Sequence, residues 1–142
     1  MTAAIVDTSA ILALFDEGYA EHPALARLVS DGSWDLIVSP FVVAEVDYML
    51  ATRLGSAAAG RFHHDLLVGA YHLAPWRVED HALAVKVGQR FGSEYVGVAD
   101  AANVVLAATY RTNILLTLDQ RHFRALSPMT SDAAFRLLPY DV

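Results

Sequence analysis

AAIVDTSAILALF, residues 3–15, opens as a short apolar run with β-branched side chains, meets two good helix N-cap types at Thr8 and Ser9, and continues in helix formers. That is a strand running directly into a helix, with Asp7 at the junction. ILLTLD, residues 114–119, is the clearest strand in the chain and again ends on an aspartate, Asp119. Between these two stretches the alternation continues. HPALARLVSDG (22–32) reads as a helix stopped near Gly32, and DLIVSP (35–40) as a second buried strand ended by Pro40. FVVAEVDYMLATR (41–53) is helical in pattern with Gly55 as its stop, and SAAAGRFHHDLLVG (56–69) is a further helix closing at Gly69. YHLAPW (71–76) is read as a strand. VEDHALAVKVGQRFG (78–92) carries apolar residues at Ala82, Val85, Val87 and Phe91 on roughly helical spacing, and VADAANVVLAATYR (98–111) is helical again. A short segment, RHFRAL (121–126), precedes a last strand in FRLLP (135–139). Strands that are apolar throughout, alternating with helices, predict an α/β fold whose parallel sheet is covered on both faces.

The chain has 142 residues, no internal repeat and no linker-like tract, which predicts one domain over residues 1–142. A hydrophobic content of 55% exceeds what one small core hides, so a dimer, a permanent partner, or both are expected to cover some of it. Acidic residues interrupt every apolar stretch before it reaches the ~18 to 20 residues of a spanning helix. The N-terminus lacks the basic flank of a signal peptide, and the chain has no cysteine. A cytoplasmic location is the expectation.

In open α/β sheets sites form beyond the carboxyl ends of the strands. Asp7 and Asp119 both fall there. Glu45 lies in the helix leaving the second strand and Asp100 near the start of the helix before ILLTLD, so all four acids can reach one place. Each alone has an ordinary reading: Asp7 as a helix cap, Asp100 as a first-turn acid, Asp119 as a turn former. Together they repel one another unless a hard cation intervenes, and oxygen-only ligation favours magnesium or manganese over zinc. Asp47, two residues after Glu45, points roughly 200° away on a helix and reads as a surface or interface acid. The histidines show no metal spacing. His63 and His64 project apart, His22, His72 and His81 are isolated, and His122 stands near the cluster where it can touch substrate; all six read as surface residues.

The blocks IVDTSAILALF, VSPFVVAEVDYML, VGVADAANVVLAA and ILLTLDQRHF resemble, in order, the motif blocks of PIN-domain endoribonucleases, in particular the VapC-type toxins of toxin–antitoxin pairs. The resemblance spans Ile5 to Phe123. It implies a three-layer α/β/α sandwich around a mostly parallel sheet of about five strands, Mg2+ (or Mn2+ as a substitute) at the acidic cluster, a homodimer or higher assembly, and neutralisation by a cognate VapB-type antitoxin. Carried over residue by residue, Asp7, Asp100 and Asp119 match metal-binding aspartates and Glu45 the acidic residue on the third helix. Thr8, Ser9 and Thr117 match supporting hydroxyls, with Ser9 the one to approach a metal-bound water. Asn103, three residues after Asp100, shares its helical face and is positioned to bond a carboxylate or a phosphate.

The chemistry expected of such a cluster is in-line hydrolysis of phosphodiester bonds in structured RNA, tRNA or rRNA, leaving a 5′-phosphate and a 3′-hydroxyl. Arg53, Arg90, Arg121 and Arg124 are candidate RNA contacts. The net charge of −6 opposes RNA binding, but with four acids committed to a cation twelve remain against ten basic residues, of which only Lys86 is not arginine. Two other readings exist. One is a catalytically silent PIN-like module that binds RNA or a partner, against which the four retained carboxylates speak. The other is an aspartate-based phosphatase or receiver, against which stand Ser9, where the phosphatases carry a second aspartate, and Lys86 in mid-helix.

Overall fold

The computed structural model describes residues 1–142. Strands β1 (Thr2–Val6), β2 (Trp34–Val38), β3 (His72–Leu73), β4 (Ile114–Leu116) and β5 (Arg136–Leu138) form one sheet in the order β3-β2-β1-β4-β5, parallel throughout. Seven helices accompany it: α1 (Thr8–Phe15), α2 (His22–Ser30), α3 (Pro40–Arg53), α4 (Ser56–Leu67), α5 (Val78–Arg90), α6 (Val98–Thr109) and α7 (Gln120–Ala125). The α/β class and the five-strand sheet are as expected from the sequence.

Successive strand residues face two separate apolar cores. Ala4, Val6, Val38, Leu116 and Leu138 pack with α1 to α4, whereas Ile5, Ile37, Leu115 and Leu137 pack with α5 to α7. This is why the strands are apolar without alternation: both faces are covered. In α6 every residue from Ala99 to Ala107 is buried except Asp100, because the helix is wedged between β1 and α5. A helix that is apolar all round belongs inside, and the one polar position left open on it marks the site.

Three local features differ from the sequence reading. YHLAPW contributes only His72 and Leu73 to the ladder, since Pro75 has no amide hydrogen with which to extend it. On α5 the buried residues are Ala84 and Val87, while Ala82 and Val85 are exposed; α5 lies against the small side chains of α6, and close approach selects the Ala84 face. RHFRAL is part of a short helix, α7, that begins at Gln120. The stop at Gly55 is as anticipated: its φ of 98° suits glycine, and its N–H donates to the Leu50 carbonyl at 3.0 Å.

The chain builds β1, β2 and β3 outward in one direction and then crosses back to place β4 on the other side of β1. The crevice of such a sheet opens where the order reverses, between the carboxyl ends of β1 and β4. Val6 is in register with Leu116, and the Asp7 N–H donates to the Leu116 carbonyl at 2.9 Å, so Asp7 and Thr117 leave the sheet at the same level. Ser39, buried at the end of β2, accepts the Val42 N–H at 3.1 Å and starts α3 beside them. No helix is long and apolar enough to cross a membrane.

Because Leu106 is 1% exposed within the wedged helix, Leu106→Ala should cost about 2–5 kcal/mol of unfolding free energy. Urea denaturation followed by circular dichroism should show it as a lowered midpoint with little change in slope.

Candidate metal centre

Asp7 forms the floor of the crevice. Its side chain is 6% exposed, and although it occupies the N-cap position of α1, it makes no capping bond. Instead Oδ2 accepts from the Ser9 hydroxyl at 2.9 Å and the Thr117 hydroxyl at 2.8 Å, while Oδ1 accepts from the Asn103 amide at 3.2 Å. Ser9 and Thr117 each bond the chain as well: the Leu118 N–H donates to Ser9 Oγ at 2.9 Å and the Asp119 N–H to Thr117 Oγ1 at 3.0 Å. The hydroxyls therefore fix Asp7 and the segment carrying Asp119 relative to each other.

Asp119 follows β4 and caps α7, its Oδ1 accepting the His122 N–H at 3.1 Å. The cap leaves Oδ2 turned toward Asp100, which sits in the first turn of α6. His122 Nδ1 lies 3.0 Å from Asp100 Oδ2 and 3.0 Å from Asp119 Oδ2, and one ligand atom from each of these three residues falls within 4.8 Å of the others. His122 is exposed, as read from the sequence, and its ring lies against both Asp100 and Asp119. The available signal was its position three residues after Asp119, which is informative only once α7 is known to start there.

Glu45 and Asp7 lie outside that tightest group. Glu45 is exposed on α3 and is linked to the floor by the Thr8 hydroxyl, which donates to Oε1 at 2.6 Å. Asp47 turns to α4, where its Oδ1 is 2.7 Å from His63 Nε2, as its helical phase requires. Among the arginines, Arg124 is committed to Asp141 (2.8 and 3.1 Å) and to Gln120. Arg53 donates to the Tyr19 hydroxyl at 3.2 Å, two helical turns beyond Glu45. Arg90 and Arg121 are exposed, and Arg121 is next to His122 on α7.

The electrostatics are those of partly buried acids set close together. Burial pushes the Asp7 carboxyl up, against the bonds from Thr117 and Ser9 that favour its ionised form. Burial, then the charges of Asp7 and Asp119, push Asp100 up to about 6, the His122 contact opposing. The donor set fits a hard divalent cation, since at least three carboxylates converge where strand ends meet. The Asn103 amide oxygen, fully buried and without a partner, marks a further acceptor beside Asp7 that a water of the ion's shell would satisfy.

The PIN domain family model matches residues 4–127. Ribonuclease VapC26 of Mycobacterium tuberculosis (strain ATCC 25618 / H37Rv) is 42% identical over 135 residues, covering 95% of this chain and 99% of that protein. Among solved structures, the Mycobacterium tuberculosis VapC20 toxin, described as cleaving the sarcin–ricin loop, superposes with a TM-score of 0.75 at 21% identity, covering 83% of this chain and 91% of its own. VapBC2 from Rickettsia felis, bound to a DNA fragment from its promoter, gives a TM-score of 0.66 at 11% identity, covering 88% and 93%. The two structural likenesses bear on fold.

The raised Asp100 has a signed consequence for stability. Between 3.8 and about 6 the folded chain holds a proton that the unfolded chain releases, so the metal-free protein loses stability as pH rises through that window. Its side chain is 21% exposed, and after screening Asp100→Asn should stabilise the metal-free protein by roughly 1–2 kcal/mol at neutral pH and by almost nothing below about pH 4. Thermal melts across pH should show this, and millimolar divalent cation should raise the melting temperature of the parent but not of the variant.

Proposed function

The chain belongs to the PIN-domain family, and on that premise we propose a VapC-type toxin endoribonuclease that hydrolyses phosphodiester bonds of structured RNA at a cation held by Asp7, Asp100, Asp119 and Glu45. The observation that carries this reading is the convergence of Asp7, Asp100 and Asp119 at the β1/β4 switch, where mutual repulsion and burial hold Asp100 near 6. When bound, Mg2+ (or Mn2+ in its place) supplies a Lewis acid for the scissile phosphate and lowers the pKa of an attacking water. The protein's own part is positional. Ser9, Thr117 and Asn103 lock the Asp7 carboxylate, the Asp119 cap orients its second oxygen, and Thr8 ties Glu45 to the rim. Glu45, exposed and held by one hydroxyl, is the acid free to turn toward the cation or an arriving water.

RNA contacts are assigned to Arg121 and Arg90, which carry no acidic partner. Arg124 is neutralised by Asp141, and Arg53 lies away from the centre. Among the large apolar residues left at the surface are Leu67, Val68 and Leu73, at the end of α4 and in β3, and Val78, Leu83, Val85, Tyr95 and Val98, along α5 and up to the start of α6. A second copy and a cognate antitoxin of the VapB type are the partners that would cover them. A reducing cytoplasm suits a chain without cysteine.

Purified protein should cleave a structured tRNA or rRNA fragment in Mg2+ and leave 5′-phosphate ends, detectable by direct ligation. Asp7→Asn should lower the rate by at least about a hundredfold, and Arg121→Ala should raise KM with kcat nearly unchanged. Cleavage that survives EDTA or Asp7→Asn would overturn the cation mechanism. Absence of cleavage on every RNA, with binding retained, would favour the silent module.

A further inference from the structure

Resting on the reading of the aspartates as cation ligands, we infer that His122 is itself a ligand through Nδ1, and that this nitrogen biases the centre toward Mn2+ over Mg2+.

The argument begins with the backbone. Asp119 caps α7 by accepting the His122 N–H, so the same aspartate that offers Oδ2 to the cluster also fixes the turn from which the imidazole projects. The ring nitrogen then stands 3.0 Å from one carboxylate oxygen of Asp100 and 3.0 Å from one of Asp119. A ring nitrogen carries at most one hydrogen, so it cannot give a well-aligned bond to both acceptors at once. Neighbouring ligands on an octahedral ion with bonds of ~2.1 Å are separated by ~3.0 Å, the edge length that both contacts have. Each of the two contacts thus has the spacing of a nitrogen and an oxygen held side by side on one ion. With His122 46% and Asp119 34% exposed, the far side stays open for water and a phosphate.

Asn103 holds Asp7 through its nitrogen, and its buried oxygen has no hydrogen-bond partner. The choice of ion follows from donor type. Magnesium takes oxygen ligands and sheds water reluctantly, whereas Mn2+, the weakest binder of the first-row divalent series, still accepts a nitrogen donor more readily than Mg2+ does. A mixed oxygen and nitrogen set therefore raises Mn2+ affinity more than Mg2+ affinity.

The test is ion binding to the full chain by calorimetry, with pulsed EPR of the Mn2+-loaded protein. The expected result is a directly coordinated 14N signal in the parent that disappears in His122→Ala. That variant should also lose about tenfold or more in Mn2+ affinity and much less for Mg2+. The parent spectrum alone keeps the inference falsifiable if the variant is unstable: no 14N coupling overturns it. Equal or tighter binding of both ions by His122→Ala also overturns it, and would identify the imidazole as a plug that leaves when the ion enters. Asp119→Asn separates the premise, because Mn2+ binding undiminished in that variant would mean that the carboxylate reading itself fails.

Discussion

The parallel pairing of β1 with β4 is the contact on which the rest of the site depends. It brings a strand from the start of the chain beside one from residue 114 onward, and its register puts Asp7 level with Thr117. From that level the Thr117 hydroxyl reaches Asp7 while accepting the Asp119 amide, so one threonine couples two strand ends that are more than a hundred residues apart. A slip of one residue would exchange the two faces of β4 and send Thr117 away from Asp7. The apolar cores on both sides of the sheet resist that slip, because Leu115 and Leu116 belong to different cores.

Around this fixed edge the protein concentrates unfavourable charge. Burial and mutual repulsion raise Asp7 and Asp100, and the hydroxyl and amide donors on Asp7 offset part of that cost without removing it. Such a cluster persists because the scaffold is stiff. α6 is enclosed for most of its length, so Asp100 cannot swing away from Asp7 without disturbing the packing of its neighbours Ala99, Ala101 and Ala102. Affinity for a divalent cation is the counterpart of this stored repulsion.

Much of this was legible in the sequence for particular reasons. Asp7 and Asp119 are legible because each closes a run that begins as an unmistakable strand, although β4 itself ends at Leu116, and Asp100 because its helix start is clear. Asn103 follows from Asp100 by helical spacing, and Asp47 is set aside by the same rule. His122 was not legible as a member of the cluster, since six residues of RHFRAL carry too little periodicity to reveal a helix, and only the cap at Asp119 aims the ring. The pairing of Arg124 was hidden for a different reason. Its partner Asp141 lies 17 residues on, and nothing local announces that the C-terminal turn folds back over α7. The burial of Ala84 in place of Val85 depended on what α5 packs against, which is a tertiary fact.

The acidity of the chain is reconciled with an RNA substrate by placement. Several basic side chains are already spent on acids of their own, Arg124 on Asp141 and Arg77 on Asp80 and Glu79. Arg121, next to His122 in sequence, and Arg90, next to Phe91, are exposed and carry no acidic partner; Phe91 lines a shallow depression with Asp100 and His122. A divalent ion that neutralised the aspartates would leave a centre that no longer repels phosphate. The same aspartates that make the empty site hostile to RNA become its anchor when the ion is bound. On the proposed function, RNA binding and ion binding would be linked, each strengthening the other, and the net charge of the whole chain would matter less than the charge within a Debye length, about 8 Å in physiological salt, of Asp100.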